Sequence, residues 1–375
     1  MSHPALQRAQ AFAAAHGLRR PLLLAPMAGV PAVTLSAAVA QAGGMGALGA
    51  LLMPPPAIAE WVLRYRDATR GDSQPDGAPL QINLWVPDPA PHRDAANEAA
   101  LRDFLGGWGP PVPPEAGDAR PPDFDAQCEA VLVARPTAVS SIMGLFPGPF
   151  VERRKRAGIA WWATVTTVAE ARTAAAAGAD VIVAQGAEAG GHRGAFDAAT
   201  ARDAAVGLFA LLPQVVDAVA ARGLPVVATG GIADARTVAA ALLLGASAVQ
   251  PGTAFLGCAE AGIGAAWAAA LPSLAPEDTR LTRAFSGRWG RAIATDYVRA
   301  AAAAGAPEPA PYPVQRGLSA TMRATADRAD GGRGDLSRQQ AWAGQGAGLL
   351  RSPTPQAAAL AVALWDGAEG LLRGH

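Results

Sequence analysis

"PVVATGGIADARTVAAALLLGASAVQPG", Pro225 to Gly252, is the stretch that decides the fold. An apolar run ends in a double glycine and leads into an alanine-rich helical segment, which stops at Gly245 and passes directly into a second apolar run. A strand, a helix closed by glycine and a further strand make the unit that lays two strands side by side and parallel. Working outward, the same alternation recurs. The candidate strands are LLLAP (22–26), GALGA (46–50), LQINLW (80–85), TAVSSI (137–142), IAWWATV (159–165), DVIVAQ (180–185), PVVATG (225–230) and SAVQPG (247–252). Helical segments such as TLSAAVAQAG and TVAEARTAAAAGA separate them, the latter closing at Gly178. Eight such units predict an α/β fold, a (β/α)8 TIM-type barrel of about 250 residues. An open doubly wound sheet is the alternative.

The 375-residue chain is longer than such a barrel needs. Residues 1–260 are expected to form the barrel, 261–335 a helical insert over its mouth without a further strand, and 336–375 a C-terminal helix returning to the barrel wall. GDSQPDGAP (71–79) and GPPVPPEAGDARPPD (109–123) read as surface loops. Hydrophobic residues make up 51% of the chain but aromatics only 6%, so close packing of alanine-rich helices is expected. Net charge is zero, which leaves no overall field to draw nucleic acid or an anionic membrane, and neither partner is expected. The uncharged stretch from Pro21 to Ala59 is broken by Pro21, Pro26, Pro31 and repeated glycines, which rules against a spanning helix and favours two buried strands around a helix. Cys128 and Cys258 form no CxxC pair and the N-terminus carries no convincing secretory signal, so a reduced, cytoplasmic protein is expected. The sole lysine, Lys155, sits in RRKR (153–156), read as a solvated helix face, and Schiff-base chemistry is disfavoured.

Glycine-rich motifs fall where these strands end: APMAG (25–29), QGAEAGGHRG (185–194), ATGGIAD (228–234) and QPGTAF (250–255). In a barrel of this type the site lies at those ends. GGIAD followed by a helix, and QPGT one unit later, suit a phosphate held by backbone amides without Lys or Arg. A phosphate at an apolar mouth points to a cofactor with a flat body. Asn83 and Gln185, at two strand ends, can offer donor and acceptor groups to a flavin edge. Of the five histidines, His3, His16 and His375 lie in peripheral segments and His92 in a loop. His192 alone stands in a glycine bed at the barrel mouth, where an imidazole can take a proton from a carbon acid or donate to an anion.

"APMAGVP", "QINLWVP", "DVIVAQGAEAGGHRG", "VVATGGIADARTVAAALLLGASAVQPGTAFL", "TRAFSGRWGRAI" and "WAGQGAG" together resemble the nitronate monooxygenase (2-nitropropane dioxygenase) family, class I. The resemblance implies an FMN-dependent oxidation of alkyl nitronates by O2 to a carbonyl compound and nitrite, with no metal. It places flavin contacts on Met27, Asn83, Gln185, Gly190, Gly191, Gly231, Gln250, Gly252 and Thr253, and the active-site histidine on His192. The chain departs from that family's pattern in carrying only Tyr65, Tyr297 and Tyr312 as tyrosines, Phe124 where an aromatic hydroxyl is expected, and SSIMG (140–144) after the fourth strand. Two alternatives stand beside it: an NAD(P)H-dependent flavin reductase of the enoyl-acyl-carrier-protein or quinone reductase type, and a non-enzymatic FMN-binding protein. An IMP-dehydrogenase type is disfavoured, because Cys258 follows its strand too distantly to be the loop nucleophile.

Overall fold

The computed structural model describes residues 3–72, 74–350 and 355–374; His375 lies outside them. Its strands are β1 (Gly46–Gly49), β2 (Leu80–Trp85), β3 (Ala138–Ile142), β4 (Ala160–Val165), β5 (Val181–Gln185), β6 (Gly191–His192), β7 (Val226–Thr229), β8 (Ala248–Val249), β9 (Thr279–Thr282) and β10 (Gly290–Ile293). Seven form one parallel sheet in the order β1-β2-β3-β4-β5-β7-β8. The first expected strand closes it. Leu22 bridges Val249 and Leu23 bridges Met45, both in parallel. The Leu23 amide donates to the Val249 carbonyl at 2.9 Å, and the Leu24 amide to the Met45 carbonyl at 2.9 Å. Pro21 and Pro26 flank these residues and lack amide donors, which confines the pairing to a few residues.

Successive side chains of a strand face opposite sides, and that period of two sorts the barrel into layers. Ile82, Val139, Trp161, Ile182, Val226 and Val249 face outward and pack with the surrounding helices into the main core. Leu23, Trp162, Val183, Val227 and Ala248 form a separate apolar core. Register places this second set inward, since Val183 pairs Val227, Val227 pairs Ala248, and Trp162 pairs Val181. The helix Pro4–Ala15 covers the end where the strands begin, with Phe12 and His16 set against Trp162 at 5.8 and 5.3 Å between ring centroids. His16 is therefore packed against the barrel interior.

Two expectations are corrected. The segment 261–335 is not purely helical: β9 and β10 form an antiparallel hairpin, and β10 pairs with β6 through Gly290 opposite His192 and Arg291 opposite Gly191. Strands of four residues reading TRLT and GRAI lack the apolar run that reveals a strand in sequence. Nor is RRKR wholly solvated. Arg154, only 3% exposed, turns inward to pair with Asp180 and donates to the carbonyls of Ile159 and Gly178. The helix Ala357–Arg373 lies against the helices Ala235–Leu243 and Val33–Gln41. Among the described residues no helix is long and apolar enough to cross a membrane.

Trp162 is fully buried at the centre of the inner layer. Trp162→Ala is expected to cost about 3–5 kcal/mol in urea unfolding through the cavity it leaves. A loss below about 1 kcal/mol would contradict a tightly packed barrel interior.

Candidate active site

Near the strands' C-terminal ends the inward positions turn polar. Asn83, Thr164, Gln185, Thr229 and Gln250 line a cavity of ≈ 330 Å³ whose walls are completed by the strand-end loops. Buried polar groups need partners, and here three strands share them. Gln250 Nε2 donates to Gln81 Oε1 at 2.7 Å, and Gln81 Nε2 to Ser140 Oγ at 2.7 Å. Asn83 Nδ2 donates to the same hydroxyl at 2.9 Å. The belt leaves Asn83 Oδ1 and Gln250 Oε1 without a donor from the described residues, and neither atom is sealed from the cavity. Gln185 is engaged differently. Its Nε2 donates to the His192 carbonyl at 3.0 Å and its Oε1 accepts from the Gly194 amide at 2.8 Å, so it fixes the loop that carries His192.

All the residues assigned by resemblance to the flavin, Met27, Asn83, Gln185, Gly190, Gly191, Gly231, Gln250, Gly252 and Thr253, line this cavity together with His192. The turn at Gly230 and Gly231 has φ of +104° and +71°, a conformation that favours glycine. The N-terminus of the helix after it, Ala235–Leu243, is already capped from within the chain. Asp234 caps it in a capping box with Thr237, so its carboxylate already accepts from the Thr237 amide at 2.9 Å, and the Thr237 hydroxyl takes the amides of Ala233 and Asp234. The uncommitted donors lie elsewhere. The amides of Gly231, Ile232, Gly252 and Thr253 have no acceptor among the described residues, and all four residues line the cavity.

His192 projects from β6 between two indoles. Trp85 meets it edge-on at 4.7 Å and Trp342 at 4.8 Å between centroids. Its Nε2 lies 2.7 Å from the Ser286 hydroxyl. Ser286 belongs to the tight turn before β10, where Gly287 has φ +91° and a Cβ would stand 2.5 Å from the Ala310 carbonyl oxygen. Arg288, 2% exposed, anchors the turn by pairing with Asp88 and donating to the Ala195 carbonyl. Burial first, and then the cations Arg316 and Arg288, push the His192 imidazole down to about 3, so it is neutral near pH 7. Arg316, Arg323, Asp327 and Gln340 of the segment after the barrel also line the cavity. Arg323 is held by Ser319 and Gln340, whereas the Arg316 guanidinium has no side-chain partner among the described residues.

Sequence reasoning missed Trp85, Ser140, Ser286, Arg316 and Trp342. Ser286 and Trp342 lie inside the motifs SGR and WAGQGAG, which signalled family but not role. The tyrosines sit outside the cavity lining: Tyr65 donates to the Pro79 carbonyl, Tyr297 to the Ala284 carbonyl, and Tyr312 packs on Trp85 at 5.4 Å. Phe124 packs against Phe146.

Fold and cavity together define a (β/α)8-barrel enzyme whose candidate site lies at the C-terminal ends of its strands. The chain belongs to the nitronate monooxygenase family, an oxidoreductase family, whose model matches residues 11–364. It is 39% identical over 348 residues to a nitronate monooxygenase of Pseudomonas aeruginosa, covering 89% of this chain and 93% of that one. A nitronate monooxygenase of Paraburkholderia phytofirmans is 36% identical over 346 residues, 90% of this chain and 89% of its own length. The solved structure of nitroalkane oxidase from Streptomyces ansochromogenes superposes with a TM-score of 0.83 at 34% identity, covering 96% of this chain and 99% of that one.

The lowered pKa of His192 has a stability consequence. Unfolded, the imidazole gains a proton as pH falls through about 6.5, while the folded protein resists protonation until about 3. Its contribution is therefore present above pH 6.5 and is lost as pH falls toward 3. His192→Asn is expected to lose less urea stability than the wild type over that interval, and parallel losses in the two proteins would contradict the neutral histidine.

Proposed function

We propose that the protein is an FMN-dependent monooxygenase that oxidises small alkyl nitronates with O2, releasing a carbonyl compound and nitrite. The observation that carries this reading is the presence, in one cavity, of uncommitted backbone amides, a neutral histidine and a guanidinium with no side-chain partner among the described residues. The chain's donor set suits FMN. The amides of Gly231, Ile232, Gly252 and Thr253 can hold a phosphate without a lysine, and Asn83 Oδ1 and Gln250 Oε1 can accept from the ring N–H. Met27, Gly190 and Gly191 form apolar and glycine walls against a flat body. In this site FMN would supply the electron acceptor for the oxidation.

The residues of the chain handle charge and protons. Arg316 offers a positive charge to the nitro oxygens, and no carboxylate among the described residues pairs with it. When the substrate arrives as a neutral nitroalkane, His192 takes the α-proton; the C–H electron pair moves onto the nitro group and the new imidazolium faces the anion it has made. When the substrate arrives as a nitronate, the same anion favours protonation of His192, which then donates to it. Trp85 and Trp342 hold the ring in place from two sides.

Oxygen uptake and nitrite release with ethylnitronate, with NADH in a parallel cell, test the reading. The wild type is expected to consume oxygen with the nitronate and to ignore NADH. NADH oxidation by a protein inert to nitronates would overturn the proposal in favour of a flavin reductase. His192→Asn is expected to keep its FMN and lose about 100-fold or more in kcat/KM, and unchanged turnover would remove His192 from the chemistry. Gly231→Asp, which sets a carboxylate among the amides, is expected to yield folded protein without FMN. A fully flavinated variant would contradict the phosphate placement.

A further inference from the structure

We infer that Ser286 is a positioning residue that sets the tautomer of His192, keeping the proton on Nε2 so that Nδ1 meets the substrate as a proton acceptor. Ser286 is 1% exposed and its hydroxyl has three neighbours: His192 Nε2 at 2.7 Å, the Arg288 carbonyl at 3.2 Å and the Arg288 amide at 3.3 Å. A hydroxyl carries one proton and two lone pairs. Its proton can go either to the Arg288 carbonyl or to Nε2, and the two choices fix opposite tautomers.

Two features decide between them. The Arg288 carbonyl has no other donor among the described residues, so directing the hydroxyl proton to His192 would leave a main-chain acceptor unpaired. The cavity side is already cationic. The ring N–H, if carried on Nδ1, would aim its positive end into a cavity that the Arg316 guanidinium also lines, whereas a lone pair there is favoured by the same charge. With the hydroxyl donating to Arg288 and accepting from Nε2–H, every partner is matched. Nδ1 makes no hydrogen bond to the described residues and is not sealed from the cavity.

This arrangement also tolerates the second protonation state. When Nδ1 gains a proton, Nε2–H continues to donate to Ser286 and the hydroxyl continues to donate to Arg288, so the ring need not turn between the two states. The turn that holds Ser286 is rigid for its own reasons, with Gly287 closed against the backbone of Ala310 and Tyr312 and Arg288 bound to Asp88. The use of the Nδ1 proton in turnover rests on the nitronate reading above, whereas the tautomer itself does not.

Nitrogen-15 NMR of the flavin-loaded protein labelled at its histidines tests the tautomer without a variant and without substrate. His192 is expected to show a protonated Nε2 and an unprotonated Nδ1 near pH 7; a protonated Nδ1 would overturn the inference. Ser286→Ala is expected to lose that preference while retaining FMN. If the wild type turns over both substrate forms, kcat/KM of the variant should fall about tenfold or more with nitroethane, which must give up a proton, and by less than about threefold with ethylnitronate. Equal losses with the two would make Ser286 merely structural. A wild type inert to both would sink the nitronate reading, and the NMR result would still decide the tautomer.

Discussion

Closure of the sheet by residues 22–24 is the constraint from which the site follows. Once Leu22 has paired with Val249 and Leu23 with Met45, each inward side chain must share the barrel axis with the others. Low on the axis that space is filled by Trp162, Val183, Val227 and Ala248, a dry plug covered from below by Phe12. One inward step further along, Asn83, Gln185, Thr229 and Gln250 cannot be paired with water inside a packed barrel. They bind neighbouring strand ends and the loop at residues 192–194, and open to the cavity. Polarity at the strand ends is thus tolerable only because a ligand space begins there.

The charges obey the same logic. Arg288 is deeply buried and its cost is met by Asp88. Arg316, partly buried at the cavity, has no such partner among the described residues, and burial holds it below the ordinary guanidinium value. Arg316, with no side-chain partner among the described residues, lines the same cavity as the neutral His192 imidazole, and the amides of the Gly231 and Gly252 loops add a second group of uncommitted donors there. One cavity therefore holds two separate groups of donors, one cationic and one main-chain.

The barrel was legible because short, mostly apolar segments alternate regularly with alanine-rich helical segments closed by glycine, a signal read from local sequence. The glycine loops and His192 were legible for the same reason, each falling at the end of a run. What escaped depends on contacts far apart in the chain. Ser286 reaches His192 across 94 positions, and β10 finds β6 through four residues with no apolar pattern of their own. Arg154 reads as one of four basic residues until the fold brings Asp180 beneath it. Gln185 reads as a ligand donor, yet its amide is taken up by residues 192 and 194 of its own loop.

Anaerobic addition of ethylnitronate to the purified protein, followed at the visible flavin band and compared with an equal addition of NADH, tests the pairing of cofactor and anionic substrate most directly. The band is expected to change with the nitronate and to stay constant with NADH. A band that responds to NADH alone, or a purified protein that neither carries nor takes up FMN, would contradict it.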